Sequence, residues 1–501
     1  MNPEANPSRL LIISNRLPVV VARDEHGDWE VESGSGGLVT ALAPVLRHRG
    51  GVWIGWAGAP EIPEEELERL LAARSRPLGY TMKPVTLSDE DVEEFYYGFA
   101  NEIVWPLFHD LPSRCNFEPA YWSGYRRVNE KFTRVILANR EENDFIWVHD
   151  YHLFHVAEEL RRSGVSGKIG FFLHIPFPPL DLFLKLPWRF QVLHALLAYD
   201  LLGFQTVRDR RNFLQCVRLL LSDVAVETRG SMVFLRRKGA EVRVGVFPIS
   251  IDFAEFANQA ASPEVAERAW YIHEHLPNTQ ILLGVDRLDY TKGIPERLRA
   301  FRDALRRYPE LHERIVFMQV VVPSRARLKR YQDLKLDIER LVSQINGEFT
   351  RSGWVPIHYV FRPLERAELL AYYRTAEIAI VTPLKDGMNL VAKEYCAASL
   401  ETGVLILSEF AGAAAQMQKS ALLVNPNDIT GMADAIYRAF TMDRAERMAR
   451  MRRLRATVKR QDIYDWVNSF LSAAIARKLD NFPVLPDYLP QMEYEPHSNA
   501  D

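Results

Sequence analysis

Short apolar runs alternate with longer amphipathic stretches along most of this chain. Leu10-Leu11-Ile12-Ile13, Phe145-Ile146-Trp147-Val148, Ile169-Gly170-Phe171-Phe172-Leu173 and Leu201-Leu202-Gly203-Phe204 read as strands. So do 242–246, 281–285, 315–320, 379–381 and 404–407. Helical spacing lies between many of them, as in 157–162, 295–308 and 366–375. Continuous apolar strands separated by helices predict an α/β fold with parallel sheets covered on both faces. Such sheets place ligand sites at the carboxyl ends of their strands. A strand ending in Phe247-Pro248 divides the chain into 1–248 and 249–461, two sheets expected to face each other across a cleft. The tail 481–501 is rich in Pro, Glu, Asp and Asn and is expected to order poorly. The Arg- and Lys-dense stretch 444–460 reads as a solvated helix face.

The turn after Ala379-Ile380-Val381 carries Asp386 and Gly387 at its tip, and Leu390, Val391 and Tyr395 open a helix. A strand–turn–helix of this kind aims backbone N–H groups and a positive helix end at one point, which suits a diphosphate. Glu394 follows Asp386 by eight residues, about two helical turns, so both carboxylates can border one pocket. A carboxylate there suits the two hydroxyls of a ribose. The same residues also fit a capped turn with a solvated Glu.

The loop after 281–285 reads Arg287-Leu288-Asp289-Tyr290-Thr291-Lys292-Gly293. Arg287 as a planar fork and Lys292 as a point charge can neutralise a diphosphate in the same mouth. Gly34-Ser35-Gly36-Gly37 permits close backbone approach to a phosphate or sugar, without the Lys-Ser/Thr of a Walker loop. Asp150, in His149-Asp150-Tyr151-His152, can accept from sugar hydroxyls, and His174 can donate to one. These histidines lack the clustered partners of a metal site. Arg16 and Arg325 follow strands in different halves and can grip a phosphomonoester between them, with Trp53, Tyr97 and Trp105 as stacking surfaces or core.

Composition removes other classes. The formal net charge of -3 leaves no basic footprint for nucleic acid or a membrane surface. No apolar run reaches the ~18 residues of a membrane span, and 1–6 lack the pattern of a signal peptide. Cys115, Cys216 and Cys396 are few and scattered, which fits reduced thiols in a cytoplasmic protein.

Taken together, the Ser14-Asn15-Arg16, Gly36-Gly37, Val148-His149-Asp150-Tyr151, 171–178, 202–206, 287–293 and 386–391 motifs closely resemble the trehalose-6-phosphate synthases, over about Leu10 to Trp466. The resemblance implies a GT-B fold of two Rossmann-like domains, with a last helix at about 462–480 crossing back to the first. It implies retaining transfer of glucose from a nucleotide-glucose, UDP-glucose first among them, to glucose 6-phosphate. Arg287, Lys292, Gly36 and Gly37 would hold the donor diphosphate and Glu394 its ribose. Asp386, His174 and the Gly387, Met388, Asn389, Leu390 and Val391 backbone would hold the donor glucose and diphosphate. Arg16, Tyr97 and Arg325 would take the acceptor phosphate, with Trp53, Trp105 and Asp150 at the acceptor sugar. Arg287, Lys292, His174 and Asp386 form the expected catalytic set, with no metal. A homo-oligomer and a separate phosphatase for the product are further expectations. The loop 18–33 is longer than in many relatives and carries Trp29. The segment 360–364 leaves uridine, guanosine and adenosine donors open. A glycerol 3-phosphate acceptor, or a non-catalytic regulatory role, are the competing readings.

Overall fold

The computed structural model describes residues 9–23, 26–34, 37–58, 62–325, 327–476, 483 and 485–490. The chain runs through strands β1 (Leu10–Arg16), β2 (Val19–Arg23), β3 (Trp29–Ser33), β4 (Val52–Trp56), β5 (Thr81–Pro84), β6 (Phe145–His149), β7 (Ile169–Phe172) and β8 (Leu201–Phe204). Then come β9 (Ala225–Arg229), β10 (Met232–Arg237), β11 (Ala240–Val246), β12 (Gln280–Arg287), β13 (Ile315–Val322) and β14 (Ile357–Phe361). The last three are β15 (Ile378–Val381), β16 (Val404–Ser408) and β17 (Leu422–Val424).

These strands form two main sheets. The first has the order β5-β4-β1-β6-β7-β8-β11-β10-β9, parallel through β11 and antiparallel over the β9–β11 meander. The second, β14-β13-β12-β15-β16-β17, is parallel throughout. Each is doubly wound, with its order reversing at one point: between β1 and β6 in the first sheet and between β12 and β15 in the second. A crevice opens at the carboxyl ends of such a pair because its two connections leave to opposite faces. The core strands β1, β4, β6, β7, β12 and β15 are buried almost along their whole length, which explains their unbroken apolar runs.

The stretch 18–33 is not an irregular loop. Its described residues hold β2 and β3, paired antiparallel from Val19 with Ser33 to Arg23 with Trp29, the Arg23 guanidinium 4.5 Å over the Trp29 ring. Residues Val92–Val104 form a π-helix, which the sequence reading missed. Buried Phe95, Phe99 and Ile103 recur every four residues, so the pattern reads as ordinary helix. The Asn101 side chain donates through Nδ2 to the Tyr96 carbonyl at 2.6 Å inside it.

The helix Ile463–Ile475 lies on the first sheet. Phe470 stacks on Trp147 at 4.4 Å, the Trp466 indole donates to the Phe247 carbonyl at 3.1 Å, and Arg243 donates to the Ala473 and Ala476 carbonyls. The expected extension to 480 and the tail residues 481–482, 484 and 491–501 lie outside the described residues. Within 485–490, Tyr488 donates to Glu409 at 3.0 Å and accepts through its carbonyl from Arg208 at 3.2 Å.

The arginines of helix Arg444–Arg460 do more than face water. Arg455 donates to the Cys396, Ala397 and Ser399 carbonyls, at the C-terminal end of helix Leu390–Ala398. Arg447 is buried and does the same for Ala439 and Phe440, at the end of helix Ile429–Thr441. Cations there satisfy free carbonyls and complement the negative helix ends. Arg455 thereby supports the helix whose other end points into the cleft.

Candidate active site

The wall built by the second sheet is made of ion pairs. β12 ends at Arg287, which is exposed and makes no hydrogen bond among the described residues. Asp289 caps the short turn Tyr290–Lys292 by accepting from the Thr291 amide and hydroxyl. Lys292 Nζ lies 2.5 Å from Asp386 Oδ2. Burial pushes the Asp386 carboxyl up, but Lys292, with His109 and Arg287, outweighs it and holds the group below the carboxylate range. Asp289 behaves alike, with Arg325, Lys292 and Arg287 overcoming its burial.

Arg325 follows β13 with a left-handed φ of 48°. It donates to Asp289 Oδ2 at 3.1 Å and to the Tyr331 hydroxyl at 2.5 Å, and lies 4.4 Å over the Trp105 ring. Asp386 sits in the turn and not on the helix, so it and Glu394 are separated by a single turn of helix. Asn389, at φ 73°, caps that helix by accepting from the Ala392 amide and also donates to Asp386 at 3.2 Å. The amides of Leu390 and Val391 are first-turn donors without an intrahelical acceptor. Glu394 is half-buried, accepts from the Tyr373 hydroxyl at 2.9 Å, and is raised by that burial.

The wall built by the first sheet is aromatic and imidazole-rich. β1 ends at Arg16, whose guanidinium lies 3.9 Å over the Trp56 ring and 5.5 Å over Tyr96. It pairs with no carboxylate among the described residues. Trp53 does not join them. It is fully buried in the core on the opposite face of β4, packs against Tyr80 and donates to Ser14 Oγ at 2.7 Å. β4 is buried on both faces, so its sequence has no polar alternation to say which tryptophan faces the cleft; it is Trp56. Tyr97 packs edge-on against Tyr96 at 5.2 Å, and both phenols act on the Arg16 guanidinium. Burial raises the Tyr96 phenol, yet Arg325, Arg16 and Arg287 together bring it below its usual value. Three arginines from both walls thus converge on Tyr96.

At the switch point of the first sheet, Asp150 adopts φ 75° and accepts from the His174 amide at 3.2 Å. Burial raises its carboxyl from 3.8 to about 7, against the pull of backbone donors, Arg287 and Arg325. His174 follows β7, and its Nε2 lies 3.1 Å from His149 Nδ1. Burial lowers His174 to about 3 and His109 to about 4. His149 and His152 are also lowered well below 6.5 by burial.

The walls meet at Gly387, against which Gly412 packs from within the second wall. A methyl group on Gly387 would overlap the His174 carbonyl oxygen, and one on Gly412 would overlap the Gly387 carbonyl. Only glycine lets the Asp386 turn slide between the two sheets this closely. Lys385 pairs with Asp110, and Arg114 lies 4.6 Å over Tyr290, also between the walls. Gly36 lies outside the described residues; Gly37 begins the helix Gly37–Arg49. The structure therefore gathers Arg16, Trp105, Asp150, His174, Arg287, Lys292, Arg325, Asp386–Val391 and Glu394 at facing strand ends. Trp56, Tyr96, Asp289, His109, His149 and Tyr373 were missed. No cluster of three or more metal-type ligands occurs among the described residues, and no described helix is long and apolar enough to cross a membrane.

The glycosyltransferase family 20 model matches residues 8–476. A trehalose-6-phosphate synthase of Mycolicibacterium vanbaalenii is 42% identical over 495 residues, covering 95% of this chain and 99% of that protein. A bifunctional trehalose-6-phosphate synthase/phosphatase of Thermoproteus tenax is 41% identical, covering 94% of this chain and 64% of its own length. Among solved structures, the UDP-forming α,α-trehalose-phosphate synthase of Burkholderia xenovorans in complex with glucose 6-phosphate superposes with a TM-score of 0.83 at 35% identity, over 93% of this chain and all 100% of that one. An E. coli structure bound with UDP-2-fluoro glucose gives 0.82 at 36% identity, over 96% and 100%. The fold is GT-B.

Proposed function

The chain belongs to glycosyltransferase family 20, and on that premise we propose that it transfers glucose from UDP-glucose to glucose 6-phosphate, with retention, to give α,α-trehalose 6-phosphate. The observation that carries the acceptor half of this reading is that Arg16, 3.9 Å over Trp56 and 5.5 Å over Tyr96, and Arg325, 4.4 Å over Trp105, come from opposite walls and both act on the Tyr96 phenol. Cations from both walls around one phenol form a cradle for a phosphate, and a phosphate bridging Arg16 and Arg325 favours closure. Similar structures, one in complex with glucose 6-phosphate and one bound with UDP-2-fluoro glucose, support it.

The donor diphosphate lies against Arg287, Lys292 and the Leu390 and Val391 amides, with Glu394 on the ribose. Asp386 and His174 hold the glucose at the seam between the walls. Lys292 is shared, pairing with Asp386 and reaching the diphosphate, so binding redistributes an existing ion pair. The residues mark no nucleophile–acid pair of carboxylates such as retaining hydrolases use. We therefore assign front-face attack. The acceptor hydroxyl loses its proton toward the departing diphosphate, whose charge Arg287 and Lys292 stabilise.

The test is nucleotide release from UDP-, ADP- and GDP-glucose, each with glucose 6-phosphate, glycerol 3-phosphate or no acceptor. Release dependent on UDP-glucose and glucose 6-phosphate is expected. Equal or faster release with glycerol 3-phosphate would overturn the acceptor assignment.

A further inference from the structure

We infer that His149 is a positioning residue that fixes the His174 imidazole in the tautomer presenting Nδ1–H to the transferred sugar. The inference rests on the reading that His174 faces the donor glucose. Its own basis is the contact between the two rings. His149 closes β6 and His174 follows β7, its neighbour in the sheet. The pairing of His149 with Phe172, and the Asp150 carboxylate on the His174 amide, hold the rings side by side. His149 Nδ1 then meets His174 Nε2 at 3.1 Å.

The surroundings select the proton's place. Trp147 packs on His149 at 4.7 Å, and Trp466 lies 6.3 Å from each imidazole. No carboxylate reaches either ring, and burial keeps both neutral. Two neutral imidazoles share a single hydrogen across their contact. If His174 Nε2 carried it, His149 would have to carry its own hydrogen on Nε2. That atom is fully buried with no hydrogen-bond partner. A buried N–H without an acceptor is rarer and costlier than a bare acceptor nitrogen. The favoured arrangement is therefore His149 Nδ1–H donating to His174 Nε2. His174 must then hold its hydrogen on Nδ1, the unpartnered nitrogen of its half-buried ring. A neutral donor is thereby fixed beside the point where Gly387 abuts the His174 carbonyl. A hydroxyl oxygen of a sugar is the ligand it suits.

The test reads the tautomer first. Long-range 1H–15N correlation on 15N-histidine-labelled full-length protein, assigned with a His174→Phe variant, is expected to show His174 protonated at Nδ1 in the wild type. Protonation at Nε2 overturns the inference while leaving the donor-site reading intact. In His149→Leu, His174 is expected to become a tautomer mixture, and kcat to fall about tenfold or more, with the glucose 6-phosphate KM little changed. His149→Asn, whose amide N–H lies near the place of Nδ1–H, is expected to recover most of that loss and guards against a folding defect. Equal kcat in wild type and His149→Leu, with a depressed His174→Phe, overturns the role given to His149. Normal transfer by His174→Phe overturns the donor-site reading and with it the purpose of the tautomer.

Discussion

At the ends of β12 and β15, Asp289 and Asp386 are buried against Arg325 and Lys292 and stay ionised. At the ends of β6 and β7, His149 and His152 are buried and His174 and Asp150 half-buried, none with an ion-pair partner among the described residues, and desolvation drives them toward their neutral forms. The same desolvation acts on both walls; only the nearby opposite charge differs. A charged wall suits a diphosphate, and an uncharged polar wall suits hydroxyl groups. The two should also fail differently: the neutral wall to protons, the charged wall to the loss of one partner.

Acid gives the largest expected effect and strikes the first wall alone. A histidine at 6.5 unfolded but at about 3 or 4 folded, as His174 and His109 are, binds a proton in the unfolded state first. Stability is then lost as pH falls through 6.5, at about 1.4 kcal/mol per pH unit for each such imidazole. His149 and His152 add to this. Asp150 opposes it: at about 7 folded against 3.8 unfolded, it gains stability as pH falls from 7 to 4 and offsets one imidazole. Asp289 and Asp386, both lowered, keep their contribution until pH falls to about 3.8. The thermal midpoint should therefore drop steeply between pH 6.5 and 5, and less steeply in His152→Gln. A midpoint unchanged down to pH 5 would contradict the neutral wall.

Single substitutions separate the members of the charged wall. Arg287→Ala and Lys292→Ala should each cost about 2–4 kcal/mol in the transition state, read as turnover. Arg287 is exposed and makes no ion pair, though its charge helps keep Asp289 and Asp386 ionised, so its loss should lower the thermal midpoint only slightly. Lys292→Ala strands the Asp386 carboxylate and should also destabilise the fold by roughly 3 kcal/mol or more. Normal turnover in both variants would remove the diphosphate from this wall.

Much of this contrast was invisible along the chain. Strand ends, the Asp386 turn and the two cation-bearing loops could be read because a buried parallel strand is an apolar run and a site follows it. What failed depended on contacts between distant residues. Lys292 and Asp386 are 94 positions apart, so their pairing has no local signature. Trp53 and Trp56 could not be told apart because β4 is buried on both faces. The histidines looked like separate turn or core residues; their shared neutrality comes from burial, with Trp147 and Trp466 packed beside His149 and His174. Reading the 444–460 arginines as solvated missed the carbonyl ends they cap.

Arg16 and Arg325 place the comparison inside one ligand. Both should serve the acceptor phosphate, a charge-assisted contact of about 1.5–3 kcal/mol, so Arg16→Ala or Arg325→Ala should raise the acceptor KM roughly ten- to a hundredfold. Nucleotide affinity by calorimetry should hardly change in either. Their effects on folding should part company. Arg325 neutralises buried Asp289, whereas Arg16 rests on Trp56 and leaves no charge stranded. Arg325→Ala should lower the thermal midpoint and Arg16→Ala should not. If nucleotide affinity collapses while the acceptor KM holds, both arginines belong to the donor.

The smallest effect should come from Glu394, a carboxylate of the charged wall supported by a neutral donor and no ion pair among the described residues. Glu394 has no cation within ion-pair distance among the described residues; its support at Oε2 is the Tyr373 hydroxyl at 2.9 Å. Burial already raises its carboxyl, with Tyr373 and then Arg366 pulling against it. Tyr373→Phe removes one hydrogen bond and keeps the ring, so the carboxylate should become harder to ionise without loss of packing. A group meant to accept from ribose hydroxyls then binds them less well. The expected cost is about 1 kcal/mol, roughly fivefold in UDP affinity by calorimetry. It should grow toward acid pH, where the raised carboxyl protonates earlier in the variant, and the acceptor KM should stay put. A change confined to the acceptor KM would move Glu394 away from the ribose and across the cleft.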